Sequence, residues 1–185
     1  MAKVKNNIFI RGLSGSLGDQ FVVRGTKGGE TIVAAKPAFS SERVFNAEQL
    51  AHQNAFRTAI AYAKSAKTQD VYIAKAQGTN KSAYNFAVAD WFNQPEVLSV
   101  DITGWTGQAG ETIRVQAQDD TYVANARVVI RNTSGAILEE GDAVRAEGLW
   151  WVYTTRSIIA LASQPQVTAQ AFDLAGNLAE LAISL

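Results

Sequence analysis

Thr112-Ile113-Arg114-Val115-Gln116-Ala117 decides the fold of the C-terminal half. Ile113, Val115 and Ala117 alternate with polar residues, and a side-chain period of two belongs to a β-strand with one buried face. Working outward, Val97-Leu98-Ser99-Val100-Asp101-Ile102 precedes it, and β-rich runs follow at residues 126–131, 136–139, 150–154, 166–172 and 179–185. Seven short runs in about 90 residues, separated by turn residues, predict an antiparallel β-sandwich beginning near Pro95.

Upstream of Pro95 the texture differs. Residues 46–67 predict a helix: Asn46 is a side-chain N-cap, Gln49 stands three residues on as in a capping box, and His52, Ala55, Phe56, Ala59, Ile60, Ala63 and Ala66 share one broad face. Residues 82–92 predict a second, nearly all-apolar helix in which only Ser82, Asn85 and Asp90 are polar, and residues 70–76 a short helical turn between the two. The first 36 residues read as extended chain punctuated by glycine. The run Asn7-Ile8-Phe9-Ile10-Arg11 is β-prone, the glycines at 12, 15 and 18 suit turns of positive φ, and residues 19–24 and 30–36 form a hairpin that ends at Pro37. The expected fold class is therefore α+β: an extended β-hairpin arm (1–37), a small helical unit (38–94) and a C-terminal β-sandwich (95–185).

Gly110-Glu111-Thr112-Ile113-Arg114-Val115-Gln116-Ala117-Gln118-Asp119-Asp120, followed by Val128-Val129-Ile130, resembles the front of bacterial immunoglobulin-like and fibronectin-type domains. Ala171-Phe172-Asp173-Leu174-Ala175-Gly176-Asn177 resembles their late A-x-D-x-A-G-N hairpin. The whole order of parts, with Gly12 to Asp19, Lys36-Pro37, Gln49-Leu50-Ala51, Phe56 to Lys64 and Ser82 to Phe92, is similar to uncharacterised bacterial proteins that join a glycine-rich β-arm and a helical unit to such a domain. The resemblance implies an Ig-like sandwich and this three-part order; it implies no activity.

Composition limits the function classes. An apolar fraction of 47% with 18% charged residues is that of a folded chain. There is no cysteine, which removes disulfides and thiolate metal sites. The apolar run Ile8-Phe9-Ile10 is far shorter than the roughly 7–15 residues of a signal-peptide core, and nothing approaches the roughly 18 apolar residues of a membrane span. The expectation is synthesis in the cytoplasm with no membrane span; an extracellular place or one within a released particle stays open.

No catalytic constellation is present. His52 is the sole histidine and lies on a predicted packing face, so neither a Ser-His-acid triad nor a zinc site can be assembled. Gly25 to Thr31 lacks the order of a phosphate loop, and Gly12, Gly15 and Gly18 lack the dinucleotide spacing. The reading assigns no catalytic, cofactor or metal residues, although Asp119, Asp120, Glu139, Glu140, Asp142 and Asp173 could offer hard oxygen ligands to calcium.

Charge gives the most informative pattern. Residues 1–37 carry six basic and two acidic side chains, a net +4, whereas residues 95–185 carry five arginines against eleven acids, a net −6. Dispersed cations beside an acidic half argue against nucleic acid as a partner. Complementary halves favour contact between copies. The expected function is a structural subunit, a homo-oligomer or homopolymer built into a filament or particle through strand addition by the arm and charge complementarity. Its expected interface residues are Phe21, Val22, Val23, Arg24, Ile32 and Val33 of the arm, with Trp105 and Trp151 of the sandwich. The alternative is a monomeric extracellular module that binds a glycan or cell surface through Trp105 or the Trp150/Trp151 face. Adjacent strand residues point to opposite faces, so one of that pair belongs to the core.

Overall fold

A computed structural model describes residues 2–4, 8–10, 12–40 and 43–184. Among these the chain is an α+β protein, mostly β, with three helices and three antiparallel sheets. It divides into two compact units, Met1–Phe86 and Ala87–Leu185.

The first unit opens with β1 (Ala2–Val4), β2 (Gly15–Leu17), β3 (Phe21–Gly25) and β4 (Thr31–Ala35), ordered β1-β4-β3-β2. The predicted hairpin is β3–β4, with Phe21 opposite Ala35 and Gly25 opposite Thr31. Two expectations are corrected. Gly12 to Gly18 is not all turn: Gly15–Leu17 pairs with β3, while Gly18 at φ +60° makes the reversal between them. Ile8–Ile10 forms a turn in place of a strand, with the Leu13 N–H donating to the Ile10 carbonyl at 3.2 Å; Asn7 and Arg11 of that run lie outside the described residues.

Helices α1 (Ala47–Ala66) and α2 (Asp70–Ala76) follow. The expected capping box is complete: Asn46 Oδ1 accepts from the Gln49 N–H at 2.8 Å, and Gln49 Oε1 from the Asn46 N–H at 3.2 Å. Such a cap contributes about 1 kcal/mol. The hairpin tip docks on the chain after α2, where Lys27 Nζ donates to the Lys81 carbonyl at 3.1 Å. The core of this unit is thin. Its buried apolar side chains among the described residues are Val23, Ala59, Ala63, Ala66, Tyr72 and Ala76.

Helix α3 (Ala83–Phe92) runs across the division between the units. The second unit then holds two four-stranded sheets. One is ordered β5-β6-β10-β9, from β5 (Glu96–Asp101), β6 (Thr112–Gln118), β9 (Val144–Arg145) and β10 (Trp150–Thr154). The other is ordered β12-β11-β7-β8, from β7 (Val123–Arg131), β8 (Ile137–Asp142), β11 (Gln166–Asp173) and β12 (Leu178–Ser184). Inward positions of both sheets, among them Ile113, Val115, Val128, Ile130, Val167 and Ala169, form one apolar core with Trp105, Trp151 and Tyr153. The last predicted run ends at Ser184; Leu185 lies outside the described residues. No helix among the described residues is long and apolar enough to cross a membrane.

Candidate functional site

Three places carry chemistry or unfinished packing, and the first is the N-terminal sheet. β3 and β4 are its interior strands, each with a neighbour on both sides. Phe21, Val22, Val23, Ile32 and Val33 therefore have no free backbone edge, because β1 and β2 already cover them, while Arg24 lies one residue beyond the pairing with β2. This corrects the expectation that the hairpin itself donates a strand. The sheet's edge strands are β1 and β2, and the three residues of β2 are all exposed. The expected residues also part by face. Val23 is buried and Val22, Ile32 and Val33 are half-buried, whereas Arg24 is exposed and Phe21, 43% exposed, stands directly across from Leu17, 61% exposed. Leu17 and Phe21 thus make an uncovered apolar patch beside the open edge.

The second place is α1. The face predicted from Ala55 to Ala66 is covered over its C-terminal half, where Ala59, Ala63 and Ala66 are buried. Over residues 47–58 nothing is buried: Ala55 is half-buried, and His52, Leu50 and Phe56 are exposed. The expected packed histidine is thus on the surface. Alongside, Arg43, Phe45, Glu48, Gln49, His52 and Gln53 line a shallow cavity of about 350 Å³.

The tryptophans of the second unit also need correction. Trp105 and Trp151 are only 3% and 6% exposed and belong to the core, so neither presents a ring to a partner. The strand alternation at 150–151 resolves with Trp151 inward and Trp150 outward. Trp150 is half-buried and stacked beneath the Arg114 guanidinium at 4.4 Å.

The third place is an acidic cluster in the second unit. Carboxylate oxygens of Asp90, Asp119 and Asp120 lie within 4.8 Å of one another. Asp90, one of the three polar residues of the predicted helix, is fully enclosed. Asp119 Oδ2 accepts the N–H groups of Thr121 and Tyr122, at 2.6 and 2.8 Å. Asn177 ties the end of α3 to this cluster: its amide nitrogen lies 3.0 Å from the Asp90 carbonyl, 3.0 Å from that of Asn93 and 2.7 Å from Asp173 Oδ2. Burial pushes the Asp173 carboxyl above its ordinary value, against the hydrogen bonds from Asn177, and the charge of Asp119 pushes it further. Such a group of oxygens can share a proton or meet a hard cation, and exposed acids adopt it without either.

The other acids of the predicted set go elsewhere. Asp142 pairs with Arg127 at 3.0 Å. Glu139 is buried and accepts from Tyr153 Oη at 2.6 Å and from the N–H groups of Arg156 and Ser157 at 2.7 and 2.9 Å. The Arg156 guanidinium also donates to the Glu140 carbonyl, satisfying one acceptor of β8, and β12 lies against β5.

No family model matches the chain, and no curated protein matches it. Among solved structures, an engineered protein is 21% identical over 50% of this chain and 19% of its own, with a TM-score of 0.36. CopC from Methylosinus trichosporium OB3b is 10% identical over 49% of this chain and 90% of its own, also at 0.36. A conjugative transposon lipoprotein from Bacteroides eggerthii DSM 20697 is 15% identical over 50% and 95%, at 0.25. The part of this chain that matches spans about a fifth of the engineered protein's length. Likenesses this distant transfer no activity.

Proposed function

We propose that this protein is a non-enzymatic structural subunit that self-assembles, with Ala87–Leu185 an Ig-like β-sandwich and Met1–Phe86 a unit whose burial is completed by another copy. The observation that carries the reading is the imbalance of cores. Among the described residues, six apolar side chains are buried in Met1–Phe86, four of them alanines, against seventeen in Ala87–Leu185. Meanwhile Leu17, Phe21, Phe39, Val44, Leu50 and Phe56 of the first unit are 43–90% exposed. Covering each such side chain contributes roughly 1.5–3 kcal/mol, which a neighbour can supply.

Charge supports the same reading. Met1–Phe86 carries twelve basic and five acidic residues, a net +7, and Ala87–Leu185 five and twelve, a net −7. Opposite fields steer copies together. The open edge of β2 offers a site for strand addition. Sedimentation velocity over a range of concentrations tests the reading at ionic strengths of about 0.01 M and about 1 M, where the Debye length falls from roughly 30 to 3 Å. Concentration-dependent association that weakens with salt is expected; a strict monomer throughout overturns it.

A further inference from the structure

We infer that β2 pairs antiparallel with β2 of a second copy, across a two-fold axis at Ser16, an inference that rests on the self-assembly reading and names one contact within it. An edge strand offers unpaired backbone N–H and carbonyl groups to another strand, and proteins commonly guard such edges with charged side chains. The three sheets have six edge strands among the described residues: β1, β2, β5, β8, β9 and β12. Each of the others carries at least one charged residue, such as Lys3 in β1, Arg145 in β9 and Glu180 in β12. β2 carries none, and neither does the whole run from residue 12 to residue 18. It is the edge without a guard.

The strand is also complementary to itself. Gly15 stands opposite Val23 and Leu17 opposite Phe21, so Gly15 and Leu17 share one face of the sheet and Ser16 belongs to the other. Residues directly opposite each other point to the same face, so a strand meets its own copy about a residue and not between two. The register centred on Ser16 is the one that uses all three residues of both strands. It sets Leu17 of each copy beside Gly15 of the other. Gly15 has φ +122°, where a side chain is rarely accommodated, and the space that a Cβ would fill there is open. Leu17, 61% exposed, supplies the side chain that this gap lacks. Its exposed neighbour Phe21 stands on the same face, so the apolar patches of the two copies lie side by side across the axis. A surface that fits itself in this way makes an isologous contact, and the sheet runs through both copies as eight strands.

Charge sets the conditions for this pairing. The strands themselves bring no like charges together, because the residue that meets its own copy is a serine. The first units as wholes carry +7 each, so their approach is opposed in dilute salt and eased as salt screens it, whereas contact between the +7 and −7 units weakens. The two kinds of contact therefore answer salt with opposite sign.

The test uses the full chain in sedimentation velocity. At an ionic strength of about 1 M, where the Debye length is roughly 3 Å, the assembly is expected to fall to a dimer and not to a monomer. Leu17→Asp is expected to weaken that dimer about 30-fold or more, the loss typical of a central interface residue, while Ser16→Ala leaves it unchanged. Positions 16 and 17 are exposed, and thermal melts coinciding with the parent protein establish that the variants fold. The native chain has no cysteine, so Ser16→Cys adds a single thiol at the axis. A short bis-maleimide at about 1 M salt is expected to capture S16C as a covalent dimer. Ser134→Cys, in an exposed turn of the second unit, is not captured. A parent protein that associates in dilute salt but is monomeric at about 1 M overturns the β2 pairing and leaves self-assembly standing. So does a dimer that L17D forms equally well, or S16C captured no better than S134C. A parent protein that is monomeric at every concentration and salt overturns both readings.

Discussion

Replacing Asn177 by Asp changes one amide nitrogen to an oxygen and should destabilise Ala87–Leu185 more than deleting the side chain. In the native protein the amide has two hydrogens and sits among acceptors: Asp173 Oδ2 at 2.7 Å, the Asp90 and Asn93 carbonyls at 3.0 Å and the Trp91 carbonyl at 3.3 Å. A hydrogen bond to a charged acceptor is worth roughly 1.5–3 kcal/mol and one to a carbonyl roughly 0.5–1.5. Asn177→Ala should therefore cost about 2–4 kcal/mol. Asn177→Asp loses the same bonds and places a carboxylate against three carbonyls and Asp173, for about 1–2 kcal/mol more. The assay is urea unfolding followed by tryptophan fluorescence. All four tryptophans lie after residue 86, so the signal reads the second unit alone. The Asp173 carboxyl is raised in the fold above its ordinary 3.8; its contribution is fully present below that value and is lost as pH rises through the folded one. The excess loss in N177D should therefore shrink in acid, where its own carboxyl can also donate. Equal stability of N177D and N177A at neutral pH would refute the clamp.

Three further outcomes follow from the second unit. Trp151→Ala should cost about 3–5 kcal/mol as a core cavity, whereas Trp150→Ala, which loses a stacked arginine, should cost about 0.5–1 kcal/mol; urea midpoints separate the two. Burial works to raise the Glu139 carboxyl, but the hydrogen bonds from Tyr153, Arg156 and Ser157 outweigh it and hold it below its ordinary 4.5. Its contribution is present above that value and is lost as pH falls through the folded one, so Glu139→Gln should be less stable at pH 7 by about 1.5–3 kcal/mol, converging with the parent in acid. Gly107 stands at φ +92°, where an added Cβ would collide with the Ile159 carbonyl, while Gly110 at φ +88° has open space. Gly110→Ala should cost about 1 kcal/mol of backbone strain and Gly107→Ala clearly more, as read by thermal melts.

The strands of the second unit were legible because alternation states both the period and the face, and β6, β10 and β11 lie within a residue of expectation. Short pairings were not. β2 contains Gly15 and was read as turn, and β9 has two residues, too few for any period to show. Helix α1 was legible from its cap onward, but its face was predicted packed along its whole length. Periodicity says which side is apolar and not how far the neighbouring element extends, which is why His52 and Phe56 come out exposed. Asp90 was missed for a related reason. A polar residue in a nearly all-apolar helix carries no sign of whether it is enclosed, and the partner that reaches its backbone, Asn177, lies 87 positions away. The one available signal was Asp173 and Asn177 of the late hairpin, of which only Asp173 was read as a candidate ligand.

The segregation of side-chain types between the two units has a practical corollary. Every lysine lies before residue 87 and every tryptophan after residue 86. An amine-reactive dye that accepts energy from indole therefore labels no side chain of the second unit, and when dye-bearing copies are added to an excess of unlabelled ones, the indoles of the unlabelled copies dim only where a labelled molecule approaches. The native chain thus carries, without mutation, the two halves of an optical ruler for contact between molecules.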